Sequence, residues 1–101
     1  MNYNALSREE VIIKLKQIKP ILEKQYGITK IGIFGSFARN DFTEHSDIDI
    51  VFETENPHGF LTVHLKDELE QYFNKHVDVV RYREKMNPYL KDRINSEAIY
   101  V

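Results

Sequence analysis

Two stretches of the chain repeat apolar residues at the spacing of an amphipathic helix. The first follows Ser7 and Glu10, which are spaced as a capping box. Its apolar positions are Val11, Leu15, Ile18 and Leu22. In the second stretch every fourth residue is apolar, namely Leu61, Leu65, Leu69 and Phe73. Both stretches are predicted to be helices that lie with one face on a sheet.

Proline and glycine residues predict where the helices begin and end. Pro20 interrupts the first stretch, because proline lacks an amide hydrogen and crowds the preceding turn. We expect either a kink there or a break at which Pro20 opens a second short helix. Gly27 predicts the end of the helical segment. A last helix is predicted after Asn87-Pro88, with Leu90 and Ile94 facing inward.

Three shorter apolar segments predict strands, at residues 30–34, 48–52 and 77–80. One helical turn is expected at 37–39, and residues 97–101 are predicted to be a short apolar tail. The order helix, strand, strand, helix, strand, helix predicts an α/β (α+β) fold, in which helices cover one small mixed sheet. We expect residues 1–101 to form a single domain.

Composition excludes several classes of function. The formal charge is −2, from 14 basic and 16 acidic residues, which argues against direct nucleic-acid binding over a large surface. The chain has no cysteine, so a disulfide scaffold and a thiolate zinc site are excluded. That composition suits the cytoplasm, where we expect the protein. No apolar run reaches the length of a membrane span, and residues 1–6 do not resemble a signal peptide.

Two acids separated by one residue, Asp47 and Asp49, stand at the start of the second predicted strand. The period of two in a strand places both on one face, where their like charges repel each other. A hard divalent cation with oxygen ligands offsets that repulsion best. An isolated pair of this kind is a weak signal. The Gly35-Ser36 pair strengthens it, because a glycine and a hydroxyl after an apolar strand suit a phosphate.

Asp78 lies inside the apolar third strand, where a lone carboxylate would be costly to bury. An edge position of that strand would instead leave Asp78 exposed to solvent. If the third strand lies next to the second, Asp78 would join Asp47 and Asp49 as a ligand of magnesium. Two ions about 4 Å apart would clamp the attacking and leaving oxygens of a phosphoryl displacement. The Gly35 backbone and the Ser36 hydroxyl would hold a triphosphate. Asp78 is the strongest candidate to accept the proton of an attacking hydroxyl.

The chain resembles the minimal nucleotidyltransferases of the polymerase-beta superfamily, short proteins encoded with a HEPN-domain partner as toxin–antitoxin pairs. The family pattern is Gly-Ser-x-Ala-Arg-Gly, then Ser-Asp-x-Asp-Leu, then a distant acid. The matching segments are Gly35-Ser36-Phe37-Ala38-Arg39, Ser46-Asp47-Ile48-Asp49-Ile50 and Val77-Asp78-Val79-Val80. Asn40 replaces the last glycine of the first motif. Asparagine tolerates left-handed backbone geometry, so we expect that turn to survive.

The resemblance implies a magnesium-dependent enzyme that transfers AMP from ATP to a hydroxyl and releases pyrophosphate. The implied catalytic and metal-binding residues are Asp47, Asp49 and Asp78. The implied nucleotide-binding residues are Gly35, Ser36, Arg39 and Ser46. The implied acceptor is a tyrosine of a HEPN ribonuclease toxin, which forms a hetero-oligomer with its antitoxin and is silenced by the modification.

Some of these residues have a second interpretation. Arg39 either touches phosphate or pairs with Asp41 or Glu44. Ser46 fits a turn hydroxyl as well as a nucleotide contact. Glu53 lies on the strand face of Asp49 and either extends the acidic cluster or is exposed at the strand end. Four residues are candidates for a partner surface or for ordinary solvated positions: Tyr3, Arg81, Arg83 and Tyr100.

The short chain leaves few residues to enclose a nucleotide base. We therefore expect an open site that a protein partner completes with its own hydroxyl. One alternative is a non-catalytic antitoxin that neutralises the toxin by binding. Another is a nucleotidyltransferase that acts on a small molecule, which would need enclosing walls that this chain lacks.

Overall fold

Four helices and four strands make up residues 6–101, the part of the chain that the computed structural model describes. In chain order they are α1 (Arg8–Tyr26), β1 (Ile28–Phe34), α2 (Gly35–Arg39), β2 (Ile48–Thr54), α3 (Leu61–Phe73), β3 (Val77–Arg81), α4 (Pro88–Glu97) and β4 (Ile99–Tyr100). Tyr3, a candidate for the partner surface, lies outside the described residues. None of these helices is both long enough and apolar enough to span a membrane.

The strands form one mixed sheet in the order β3-β2-β1-β4. The pairs β1–β2 and β1–β4 are antiparallel, whereas β2 and β3 are parallel. A parallel pair needs a long crossover, and α3 provides it. The predicted α/β fold with a small mixed sheet is therefore confirmed.

The chain end is a fourth strand, so the prediction of an apolar tail was wrong. β4 pairs with β1 through Gly32↔Tyr100 and Ile33↔Ile99. A Cβ atom on residue 32 would overlap the carbonyl oxygen of Ile99, so glycine permits this close approach. The Val101 amide also donates to the Ile31 carbonyl at 3.0 Å. A strand of two residues is too short to show a pattern in the sequence.

The sheet buries both of its faces. On one face, α1 and α3 pack over the main core, which includes Ile48, Ile50 and Phe52 of β2. On the other face, Ile94 of α4 packs against Phe34 and Val51. Alternation along β2 thus directs every second residue toward α4. Asp49 shares this parity with Val51 and lies at the same sheet face as α4.

Helix α1 is continuous through Pro20, so of the two expected alternatives, a kink or a break, the break was wrong. Ile18 and Leu22 on either side of the proline are both buried in the main core. Their packing outweighs the single hydrogen bond that proline removes. The predicted ends of this helix are confirmed. The Glu10 amide donates to the Ser7 hydroxyl at 3.1 Å, and Gly27 closes the helix with φ +64°.

Candidate active site

Asp49 and Asp78 are register partners on two adjacent parallel strands. Directly paired residues of neighbouring strands project to the same face of a sheet, so the two carboxylates belong to one face. Asp47 lies two residues before Asp49, immediately ahead of β2. The three predicted acids therefore lie together at the end of the sheet where β2 and β3 begin.

Exposure differs among these three acids. Asp49 is half-buried, whereas Asp47 and Asp78 are exposed. Asp78 is exposed because β3 is an edge strand, which confirms the edge interpretation of this residue. Its proximity to Asp49 comes from strand register and does not depend on burial.

Burial and the neighbouring acids raise the pKa of Asp49 to about 6. Desolvation is the largest cause, and the negative charge of Asp78 is the next. Asp47 adds to the increase, while Arg93 and Arg39 oppose it. The two arginines therefore do not fully offset the negative charge around Asp49. A cation at this point would favour the ionised form of the carboxylate.

Among residues 6–101, no three His, Asp or Glu side chains already surround one point as metal ligands. Magnesium is usually bound by one or two carboxylates together with water and substrate phosphate oxygens. The paired Asp49 and Asp78, with Asp47 beside them, offer the carboxylates of such a set. Their chemistry fits magnesium, and their assignment as its ligands stays a prediction.

Gly35 joins β1 to α2 and adopts the left-handed φ of +72°. A Cβ atom there would overlap the Oδ2 atom of Asp49. Residue 35 therefore needs glycine both for its backbone conformation and for the room that the Asp49 carboxylate occupies. The Gly-Ser motif and the acidic motif, distant in sequence, are in direct contact.

The Gly35 amide is already hydrogen-bonded within the protein. It donates to the Oε2 atom of Glu97 at 3.0 Å. The Nη1 atom of Arg39 donates to the other carboxylate oxygen of Glu97, Oε1, also at 3.0 Å. The Nε atom of Arg39 pairs with Asp41 at 3.1 Å. The pairing of Arg39 with Asp41 confirms one of the two interpretations of this residue, and Glu44 is not its partner.

Glu97 is a residue of this site that the sequence analysis missed. Two signals in the sequence point to it. An acid in the last turn of a helix is unfavourable beside the negative end of the helix dipole, so it needs a positive or donating partner. Arg93 precedes Glu97 by four residues on α4, and its Nη2 atom lies 3.7 Å from Oε2. Neither signal identifies Gly35 or Arg39 as the partner.

The loop between α2 and β2 is held by its own hydrogen bonds. Asn40 adopts the left-handed φ of +66°, as expected for its place in the motif. The Ser46 hydroxyl accepts from the Thr43 amide at 2.9 Å, and the Ser46 amide donates to the Thr43 carbonyl at 3.1 Å. The turn interpretation of Ser46 is confirmed. Its contact with nucleotide stays a prediction, as do those of Gly35, Ser36 and Arg39.

Glu53 lies outside the acidic cluster. It follows Asp49 by four residues, which places it roughly 13 Å further along β2. Its carboxylate lies 3.9 Å from the Lys30 ammonium group, and both side chains are partly exposed. The strand-end interpretation of Glu53 is therefore confirmed. The role of Arg81, Arg83 and Tyr100 in a partner surface stays a prediction.

A family model described as "Nucleotidyltransferase domain" matches residues 15–101. The chain belongs to this nucleotidyltransferase family. A relative from Methanocaldococcus jannaschii that carries a protein adenylyltransferase name is 42% identical over 102 residues, covering 100% of this chain and 99% of the relative. Protein adenylyltransferase MntA of Thermococcus cleftensis is 30% identical over 97 residues, covering 95% of this chain and 97% of MntA.

Solved structures share the fold of this nucleotidyltransferase. A minimal nucleotidyltransferase superposes with a TM-score of 0.78 at 24% identity, covering 96% of this chain and 98% of that chain. A toxin–antitoxin structure with AMP-PNP superposes with a TM-score of 0.69 at 20% identity, covering 94% of this chain and 72% of that chain. The structure of a tri-AMPylated Shewanella oneidensis HEPN toxin in complex with its MNT antitoxin superposes with a TM-score of 0.58 at 19% identity. This match covers 92% of this chain and 66% of that chain. The predicted resemblance to minimal nucleotidyltransferases is confirmed.

Proposed function

We propose that this nucleotidyltransferase transfers AMP from ATP to a hydroxyl of a HEPN ribonuclease toxin and thereby acts as its antitoxin. The observation that carries the proposal is the contact of the two motifs. Asp49 is paired with Asp78 on one side and occupies the space beside Gly35 on the other. A carboxylate cluster can hold the metal ions that stabilise the reacting oxygens of such a transfer, and the neighbouring glycine turn would place the triphosphate beside them.

We propose that Asp47, Asp49 and Asp78 hold magnesium as two ions, the set that the sequence predicts. Bound magnesium would neutralise phosphate charge and align the reacting oxygens. The pKa of Asp49 is raised first by burial and then by the charge of Asp78, and this supports the assignment, because a bound cation would favour the ionised carboxylate. Asp78 is exposed on the edge strand, so an acceptor hydroxyl from outside can reach it to transfer its proton.

The proposed nucleotide contacts come from α2 and the loop after it. We assign the triphosphate to the Gly35 amide, the Ser36 hydroxyl and the Arg39 guanidinium group. Ser46, which holds the loop through Thr43, would keep Asp47 in place beside the nucleotide. Residues 1–101 would act as one catalytic domain, which we place in the cytoplasm.

A protein acceptor fits the names of the relatives, and we extend it to this chain. The two relatives above are named protein adenylyltransferases. Among the structures of the same fold is an antitoxin bound to an AMPylated HEPN toxin. We propose that the acceptor is a tyrosine of such a toxin, bound to this chain in a hetero-oligomer. The exposed position of Asp47 and Asp78 leaves the site open to such a partner.

The test is transfer of label from α-³²P-ATP to a purified HEPN partner in the presence of magnesium. We expect label on the partner with the wild-type chain and none with the double variant Asp47→Asn/Asp49→Asn. A matched control, Glu55→Gln/Asp67→Asn, removes two negative charges from exposed positions away from the site. This control is expected to label the partner at the wild-type rate.

The two alternatives give different results in the same experiment. Equal labelling by the double variant would falsify the catalytic assignment of the acids. No labelling by the wild-type chain, with protection of cells from the toxin retained in the double variant, would support neutralisation by binding. Label in a small-molecule fraction, with none on the partner, would support a small-molecule acceptor.

A further inference from the structure

Glu97 binds two of the groups that the proposed function assigns to nucleotide phosphate. Its Oε2 atom accepts from the Gly35 amide and its Oε1 atom accepts from Arg39, each at 3.0 Å. The Glu97 side chain is only 17% exposed, so its carboxylate is held inside the site. One carboxylate therefore bridges the glycine turn and the arginine of the same motif.

A carboxylate presents two oxygens to donors much as a phosphate group does. The Gly35 amide has one hydrogen, so it cannot bond fully to Glu97 and to a phosphate at once. A negative carboxylate at this position would also repel the triphosphate. We propose that Glu97 occupies the place of a nucleotide phosphate and must leave it before ATP binds. This inference rests on the proposed function. Glu97 then limits the affinity of the site for ATP.

The structure provides a second partner for the displaced carboxylate. The Nη2 atom of Arg93 lies 3.7 Å from Oε2 of Glu97, one turn earlier on the same helix. A change of the Glu97 side-chain rotamer would exchange Gly35 and Arg39 for Arg93. The Ala98 amide is bonded to Ile94 and the following β4 is paired with β1, so the backbone after Glu97 is held in place and the displacement we propose is a movement of the side chain.

The most direct test compares the affinity of three chains for a non-hydrolysable ATP analogue with magnesium, by isothermal titration calorimetry. Glu97→Gln keeps the shape of the side chain and removes its charge. Loss of the charge-assisted bonds is expected to tighten nucleotide binding about fivefold to tenfold. The matched control is Asp92→Asn, which removes one charge from an exposed position of α4. It is expected to bind within about twofold of wild type, as surface charges act weakly.

A second measurement separates displacement from a general change of the fold. The Gly35 amide proton should shift in the NMR spectrum of wild type when the analogue binds, because its acceptor changes from Glu97 to phosphate. Glu97→Gln should shift the same signal before nucleotide is added. Its melting temperature should fall as the ion pairs with Arg39 and Arg93 are lost, so tighter binding would not come from greater stability.

The outcomes separate this inference from the proposed function. Weaker binding by Glu97→Gln would overturn the inference and make Glu97 a positioning residue for bound nucleotide. Binding equal to wild type would overturn it as well, while the proposed function would stand. No binding by wild type, Glu97→Gln or Asp92→Asn would overturn both. Binding by Glu97→Gln alone would support the displacement most strongly.

Discussion

The carboxylate of Asp49 occupies the space that a side chain on Gly35 would need. The contact follows from the antiparallel pairing of β1 and β2, in which Phe34 is the register partner of Asp49. Residue 35 then turns into α2 with a positive φ. One steric relationship thus links the glycine of the first motif to the central acid of the second. Each of the two residues constrains what the other position can hold.

Gly35→Ala is expected to lower the free energy of unfolding by at least about 2 kcal/mol and to abolish transfer. The added Cβ would overlap Asp49, and the left-handed φ would be strained in addition. Urea unfolding and the labelling assay measure the two effects. Gly59→Ala is the control, because a Cβ there meets no atom within 4 Å. A wild-type stability for Gly35→Ala would contradict the steric argument.

Asp49→Asn is expected to inactivate the protein and yet to stabilise its fold at neutral and basic pH. The pKa of Asp49 is raised to about 6, so the folded state holds this proton more tightly than the unfolded chain does. The resulting penalty is complete above the folded pKa and disappears below about pH 4, the unfolded pKa. After solvent screening we expect a gain of about 1 kcal/mol at pH 8 and none at pH 4.

Urea denaturation of both proteins at pH 4 and pH 8 measures this difference. Titratable groups that do not interact with Asp49 contribute equally to both proteins, so their effect cancels in the comparison. A gain that is equal at both pH values would show that asparagine stabilises by packing and that the charge of Asp49 is not involved.

Asp78→Asn is expected to lower the pKa of Asp49 without returning it to its ordinary value. The charge of Asp78 is the second cause of the raised pKa, and burial is the first. A pH titration of the side-chain carboxyl carbon of Asp49 by NMR follows the change. If the titration of Asp49 does not change in the variant, the two carboxylates do not interact as their strand register indicates.

Asn40→Gly is expected to keep the stability and activity of the wild-type chain, because glycine adopts the φ of +66° without strain. Asn40→Ala should lower the free energy of unfolding by about 1 kcal/mol, since alanine is strained in the left-handed region. Thermal unfolding of the two variants compares these effects. Equal stability of both variants would mean that the turn relaxes around residue 40.

Most of the fold could be predicted from the sequence, because its main elements bury apolar residues at regular intervals. The apolar stripe at every fourth residue from Leu61 to Phe73 predicted a helix, and α3 covers these residues. The capping box predicted the beginning of α1. β4 could not be predicted, because two residues are too few to show the alternation of apolar and polar side chains that marks a strand. Its place depends on Gly32, whose missing Cβ allows the chain end to approach β1.

The candidate site was predicted in part, for a similar reason. The acidic and Gly-Ser motifs each lie within a short segment, and strand period alone relates Asp47 to Asp49. Glu97 was missed because it reaches Gly35 only through the docking of α4 and β4 on the sheet. The exposure of Asp78 was one of two open interpretations, because the sequence does not give the order of the strands.

The central claim is that Asp47, Asp49 and Asp78 together hold the divalent cation that accompanies ATP. Titration of the ¹⁵N-labelled chain with Mn²⁺ and a non-hydrolysable ATP analogue tests it directly, because Mn²⁺ broadens the signals of nearby amides. We predict that residues 47, 49, 78 and 35 lose intensity first, and that Asp47→Asn/Asp49→Asn prevents the loss. Broadening centred elsewhere, or unchanged in the double variant, would contradict the account.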